Sequence, residues 1–195
     1  TIFVREKTAV EIIKKEGIDN VKLVLDPTLL LENNEWEKLI KSKPKFKKYI
    51  LLYQLHDNPR FVEYAKSFSK QTGIKLVRIC PSVQSLFRGG KGVFLPTPQE
   101  FLSLFKNAEY VITDSFHGTV FSLLFNRKFI DILPSETGTR ITNILELTKL
   151  EDRILKDYND FSYIGKDIDF TEANTILNEE RKKSIELLKN ALMKC

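Results

Sequence analysis

Cysteine is nearly absent from this chain. Its 195 residues hold two, Cys80 and Cys195, too few for a disulfide framework and without the spacing of a metal site. A reducing compartment follows as the simple expectation, with a Cys80–Cys195 bond the alternative left open. Histidine is equally scarce, with His56 and His117 the only two. No apolar run approaches the ~18–20 residues that a membrane-crossing helix needs. The N-terminus alternates charged and apolar residues too early for a signal peptide. These absences point to a cytoplasmic protein, peripheral to a membrane at most. Basic residues are not interleaved with aromatics along any one element, which argues against nucleic-acid binding. The only methionine is Met193, so Thr1 is not an uncleaved translation start, and the chain is expected to be the C-terminal part of a longer protein.

What is present fits one α/β domain with a real core, or one plus part of another. Hydrophobic residues make up 42%, ordinary for a globular chain. The net charge of +5 suits an anionic partner, although Lys41 to Lys48 carries much of the excess and reads as a solvated loop. Residues 1–4, 21–25, 49–55, 74–79, 110–112 and 129–133 read as strands. Helices are expected over 8–15, 59–72 and 98–107, after the 113–118 turn, from about 141, and over 170–194, with a short one near Trp36. Gly17 and Gly73 are stop signals, and Asp26-Pro27-Thr28 reads as a turn. Pro59 and Pro98 sit at first helical positions, the latter within a Thr97…Glu100 capping box. Residues 80–95 and 152–169 read as irregular. Strand and helix alternate over 49–150, which implies a parallel sheet with helices on both faces.

The stretch from Tyr110 to Phe125 has the clearest chemical meaning. A short strand runs into the polar turn Thr113-Asp-Ser-Phe-His-Gly118 and then a helix too apolar to lie on a surface. The backbone N–H groups at such a helix start favour anions. His117 is the candidate for proton transfer, since imidazole titrates near neutrality; a structural hydrogen bond is its dull alternative. Ser115, Gly118 and Thr119 are candidates to receive a phosphate, or else simply form the cap. Asp114 would repel phosphate, and capping or orienting His117 suits it better. Arg140 and Arg5, each at a strand or loop end, are candidate anion clamps against surface salt bridging; Arg78 and Arg88 are weaker ones. Arg88-Gly-Gly-Lys-Gly92 lacks the Walker spacing and reads as a flexible loop that closes over substrate. His56 follows a strand, where ligand contact and turn chemistry explain it equally.

Several landmarks then fall in one order: Val4-Arg5-Glu6, Leu25-Asp26-Pro27-Thr28, Pro98…Glu100, Thr113-Asp-Ser-Phe-His-Gly-Thr119, Asn126 to Ile130, Gly138-Thr-Arg-Ile141 and Leu150 to Arg153. This ordered set covers nearly the whole chain and resembles the polysaccharide pyruvyl transferase family. The resemblance implies a Rossmann-like parallel sheet with helices on both faces, forming the C-terminal domain of a GT-B-like fold. Residues 1–45 would be the tail of the N-terminal Rossmann-like domain and the linker, and 46–195 the C-terminal domain. It implies transfer of pyruvate from phosphoenolpyruvate to sugar hydroxyls as a ketal, in surface polysaccharide synthesis. The acceptor would be a saccharide or lipid-linked saccharide, with no cofactor and no metal. Ser115 stands where many members carry an arginine, so a guanidinium does not supply the anion contact there. A cleft enzyme needs both walls, so this partial chain is expected to be inactive. The competing readings are a GT-B glycosyltransferase using a nucleotide sugar, and a non-catalytic saccharide-binding domain. The C-terminal helix is expected either to reach back across the other domain or to lie on its own.

Overall fold

The computed structural model describes residues 1–42, 44–80, 89–134 and 138–193. Five parallel strands build the main sheet: β3 (Tyr49–Tyr53), β4 (Lys75–Cys80), β5 (Lys91–Phe94), β6 (Tyr110–Thr113) and β7 (Lys128–Asp131). Their spatial order is β5-β4-β3-β6-β7. Two shorter strands, β1 (Ile2–Val4) and β2 (Val21–Leu23), pair in parallel as a separate sheet, joined by helix α1 (Lys7–Lys15).

Strand β3 lies at the centre because both its faces are apolar. Tyr49 and Leu51 enter one core, Ile50 and Leu52 the other, and all four are fully buried. On the second face α4 (Pro59–Thr72) inserts Phe61, Tyr64, Ala65 and Phe68. Asn58 caps that helix through the Phe61 amide at 3.2 Å, and Gly73 ends it at φ 68°. On the first face lie α5 (Pro98–Asn107), α6 (Phe116–Leu124), α7 (Thr139–Thr148) and α8 (Thr171–Leu192). Helices thus cover both faces of a parallel sheet, as the alternating pattern implies. The Thr97–Glu100 capping box forms as read. Among the described residues no helix is long and apolar enough to cross a membrane.

Three local readings need correction. Asp26-Pro27-Thr28 is not a free turn: Asp26 accepts from the Thr28 amide and caps the one-turn helix α2 (Pro27–Leu30). Part of the stretch read as irregular is β5, which among the described residues pairs with β4 alone. An edge strand with one neighbour needs little apolar sequence, so Lys91 and Gly92 hide it. Gly89 and Gly90, at φ 89° and 86°, lead into this strand; Arg88 lies outside the described residues. Finally, α6 begins at Phe116, so His117 stands in its first turn and not in the preceding loop.

The N-terminal segment is fastened to the rest of the chain. Leu29 is buried in the larger core, and the Trp36 ring, in α3 (Asn33–Glu37), meets Phe121 edge-on at 5.3 Å. Helix α8 packs on the main sheet and also contacts the N-terminal segment. Its first half buries Ala173 and Leu177 against the main domain. Further along, Arg181 Nε donates to the Leu29 carbonyl at 2.7 Å, and the Ser184 hydroxyl accepts from the Leu25 amide at 2.9 Å. Cys80 is buried at the end of β4, and Cys195 lies outside the described residues.

Candidate functional site

From the central strand β3 the chain builds outward in one direction through β4 and β5, then crosses to β6 and β7 on the other side. The connections after β3 and β6 therefore leave the sheet in opposite senses. A parallel sheet opens a crevice at the carboxyl ends of such a pair, and ligands bind there. Helix α6 starts at this crevice. Everything from Gly118 to Leu124 is buried, and burying each large apolar side chain there contributes roughly 1.5–3 kcal/mol. The helix cannot shift easily, so its first turn is a firm platform. On that platform the His117 side chain remains 44% exposed.

Three elements bring charged groups toward His117. Arg5 follows β1 and Asp26 follows β2; because these strands are parallel, both residues emerge at the same end. The Arg5 guanidinium lies 2.5 Å from Asp26 Oδ2, while Asp26 Oδ1 sits 4.0 Å from His117 Nε2. Arg140, in the first turn of α7, stands 3.8 Å from Glu6 Oε1 and 5.5 Å above the Phe116 ring. Arg5, Glu6, Asp26, Phe116 and Arg140 line one cleft of about 120 Å³. The structure thus brings Arg5 and Arg140 together in this cleft, with His117 beside it, in reach of Asp26. It adds Asp26, Glu6 and Phe116, which the sequence did not single out as site residues. Asp26 carries a signal, a carboxylate at a strand end, but the Pro27-Thr28 that follows gives it the pattern of a turn.

The charges balance within the cluster. Burial raises the Asp26 carboxyl, but the Thr28 amide and hydroxyl and the Arg5 guanidinium outweigh it, leaving it below the ordinary carboxylate range. Burial pushes the His117 imidazole below its usual value; Asp26 opposes this, while Arg5 and Arg140 add to it. At neutral pH the ring is therefore uncharged and able to accept a proton.

The other three candidates lie behind the site. The Ser115 side chain accepts from the Gly118 amide at 3.4 Å and caps α6, as the alternative reading had it. The Thr119 hydroxyl is fully buried, 2.8 Å from Asp131 Oδ1 and 3.2 Å from the Ser115 carbonyl, and faces β7 instead of the cleft. Gly118 permits a close approach, but of its own protein: a Cβ there would stand 2.2 Å from Thr113 Oγ1. These residues position the first turn. None of the three presents its side chain to the cleft. The reason lies in helix geometry, because neighbouring residues of one turn point in different directions.

Asp114 also differs from expectation. Its carboxylate does not reach His117 but clamps the end of β3, accepting from the Leu55 amide at 2.7 Å and the His56 amide at 2.9 Å. His56 Nδ1 lies 3.2 Å from the same carboxylate. Arg78 is buried and braces this loop from behind, donating to Gln54 Oε1 at 2.9 Å and to the Gly89 carbonyl at 3.0 Å. These two bonds give it a structural role in holding this loop.

Comparison with known proteins adds two findings. The sequence model of the family described as "Polysaccharide pyruvyl transferase" matches residues 1–135. Among curated proteins no match is found. Of solved structures, the UDP-GlcNAc 2-epimerase of Methanocaldococcus jannaschii, crystallised in complex with UDP-GlcNAc and UDP, superposes with a TM-score of 0.60 at 16% identity. The match covers 96% of this chain and 60% of that one. A putative UDP-N-acetylglucosamine 2-epimerase from Listeria monocytogenes gives 0.47 at 14% identity, covering 93% of this chain and 52% of its own. The chain thus spans 60% or less of the length of either structure. The first likeness identifies the fold as GT-B-like.

Proposed function

The chain belongs to the polysaccharide pyruvyl transferase family, and we propose that it forms one wall of a cleft in which pyruvate passes from phosphoenolpyruvate to sugar hydroxyls. In this reading residues 1–45 carry the last βαβ unit of the facing Rossmann-like half and the linker, and residues 46–195 the half described above. The acceptor is a saccharide or lipid-linked saccharide, and the reaction is cytoplasmic. The supporting observation is the convergence of two guanidinium groups and a neutral imidazole at the start of a buried helix.

Ketal formation from an enol phosphate makes three demands. The anionic donor must be held, a hydroxyl must lose its proton, and the enol methylene carbon must gain one. Arg5 and Arg140 serve the first demand: each now pairs with a carboxylate that a phosphate or carboxylate ligand would replace or share. His117, held neutral by burial, serves the second by accepting the proton of the first acceptor hydroxyl. That oxygen bonds to the substituted enol carbon while the imidazolium gives its proton to the methylene carbon, making the methyl group. A second hydroxyl then displaces phosphate, which departs with the remaining proton. Asp26, 4.0 Å from Nε2, stabilises the imidazolium in between.

The test uses the intact protein, with both walls. His117→Gln should lower phosphate release from phosphoenolpyruvate and ketal formation by about 10²–10⁴-fold while thermal unfolding stays at the wild-type temperature. Near-normal turnover would overturn the assignment. A second reading, transfer from a nucleotide sugar, draws on the likeness to a protein crystallised with UDP-GlcNAc and UDP. Nucleoside diphosphate release in place of phosphate would favour it. Saccharide binding with turnover of neither donor would favour a binding domain.

A further inference from the structure

Asp131 ends β7, fully buried directly behind the first turn of α6. Its Oδ1 lies 2.8 Å from Thr119 Oγ1, and its Oδ2 has no hydrogen-bond partner among the described residues. Thr119 Oγ1 also lies 3.2 Å from the Ser115 carbonyl. A hydroxyl carries one proton and cannot donate to both acceptors. If Asp131 were ionised, Thr119 would have to choose. The carboxylate would then hold at most one hydrogen bond, an arrangement that a sealed interior penalises heavily. If Asp131 carries the proton, every donor finds an acceptor. The acid O–H points from Oδ1 to Thr119 Oγ1, the Thr119 O–H points to the Ser115 carbonyl, and Oδ2 is left as a neutral carbonyl oxygen.

We propose that Asp131 is a neutral carboxylic acid in the folded protein and, through Thr119 and the Ser115 carbonyl, positions the helix turn that presents His117. The neighbouring charges agree with this. Asp114, at the adjacent strand end, already engages the amides of Leu55 and His56, and a second negative charge beside it is unfavourable. From the turn bridged to β7 at Ile154, the nearby cation Arg153 pairs with Asp152 and lies 5.2 Å above the Tyr163 ring. Burial and Asp114 together hold the Asp131 carboxyl well above the ordinary range, with only Thr119 opposing. The protonated state also has a consequence for the site. An ionised Asp131 would put a negative charge behind the same helix start that faces an anionic donor, cancelling part of its attraction. That consequence rests on the function proposed above; the protonation state does not.

The decisive measurement is carbon-13 NMR of the wild-type intact protein, with the Asp131 carboxyl assigned through bonds to its own backbone. The expected signal sits at the protonated position, upfield of exposed aspartates, and does not titrate between about pH 5 and about pH 8, where ordinary carboxyls are ionised. An ionised signal at neutral pH would overturn the proposal. Positioning is read from Asp131→Asn, whose amide keeps an N–H donor toward Thr119, against Asp131→Ala, which has none. Asn should keep the backbone amide shifts of Phe116 to Thr119 near wild type and Ala should move them. Equal perturbation by both variants would refute the positioning role. None of these readouts depends on turnover, so failure of the transferase assignment leaves them interpretable.

Discussion

On the side of α6 that faces β1 and β2, His117 stands half-exposed among Arg5, Asp26 and Arg140. On the side that faces β6 and β7, Gly118 and Thr119 are sealed against Thr113 and Asp131. The two sides belong to one helical turn and are built for different ends. In front, charges are balanced and unevenly held: Arg5 and Asp26 pair at 2.5 Å, while Arg140–Glu6 and Asp26–His117 stand apart at 3.8 and 4.0 Å. Behind, Thr113, Thr119 and Asp131 are fully buried and their polar atoms are paired with one another or with backbone, apart from one oxygen. A reactive face requires groups that can exchange partners, and a supporting face requires groups that cannot. Helical geometry supplies both from adjacent residues.

Substitutions in front should cost activity and spare stability, and those behind should do the reverse. The largest expected effect is on the front: His117→Gln should lower kcat by about 10²–10⁴-fold, the usual contribution of a general acid–base group, with an unchanged Tm. A parallel fall in Tm would break the distinction. Next, Arg140→Ala should raise KM for phosphoenolpyruvate by roughly 10–150-fold, as expected for a charged hydrogen bond of about 1.5–3 kcal/mol. Steady-state kinetics check this, and a pure kcat effect would show that Arg140 does not hold the ground-state donor.

Behind the turn, Gly118→Ala would force a Cβ to within 2.2 Å of Thr113 Oγ1. Overpacking of this kind destabilises by about 1–3 kcal/mol. Urea unfolding should show the loss, and a neutral result would mean that α6 slides easily and is no platform.

The smallest effect sharpens the comparison most. His117 must be neutral to accept a proton, so kcat/KM should fall as pH drops through its lowered pKa, giving an acid limb below 6.5. Arg5 helps depress that pKa. Arg5→Ala should therefore move the limb to higher pH, and Asp26→Asn, which removes an opposing charge, should move it lower. A limb that ignores both changes would place the titrating group elsewhere.

Much of the scaffold was legible from local pattern. β3 reads as central because apolar residues occupy both faces, and α4 and α5 announce their starts through Asn58-Pro59 and Thr97-Pro98. β5 was not legible, since an edge strand containing Lys91 and Gly92 gains its order from pairing with β4 and not from its own composition. The candidate site was legible in part. His117, Arg5 and Arg140 stood out by residue type and by their place after strands. Asp26 did not, because its role depends on a parallel pairing that delivers it beside a histidine 91 positions later in the chain.

The sequence by itself determined the parallel α/β architecture and the identity of the buried helix that carries the histidine, because hydrophobic periodicity and capping act within a few residues. Only the tertiary structure decided which polar residues face the cleft. Ser115, Gly118 and Thr119 look like ligand contacts in a motif, yet the packing of α6 on β6 and β7 turns them inward. The same packing buries Asp131 and leaves His117 at the surface. Those outcomes depend on which atoms lose water when distant segments meet, and that is a property of the assembled core and not of any local run of residues.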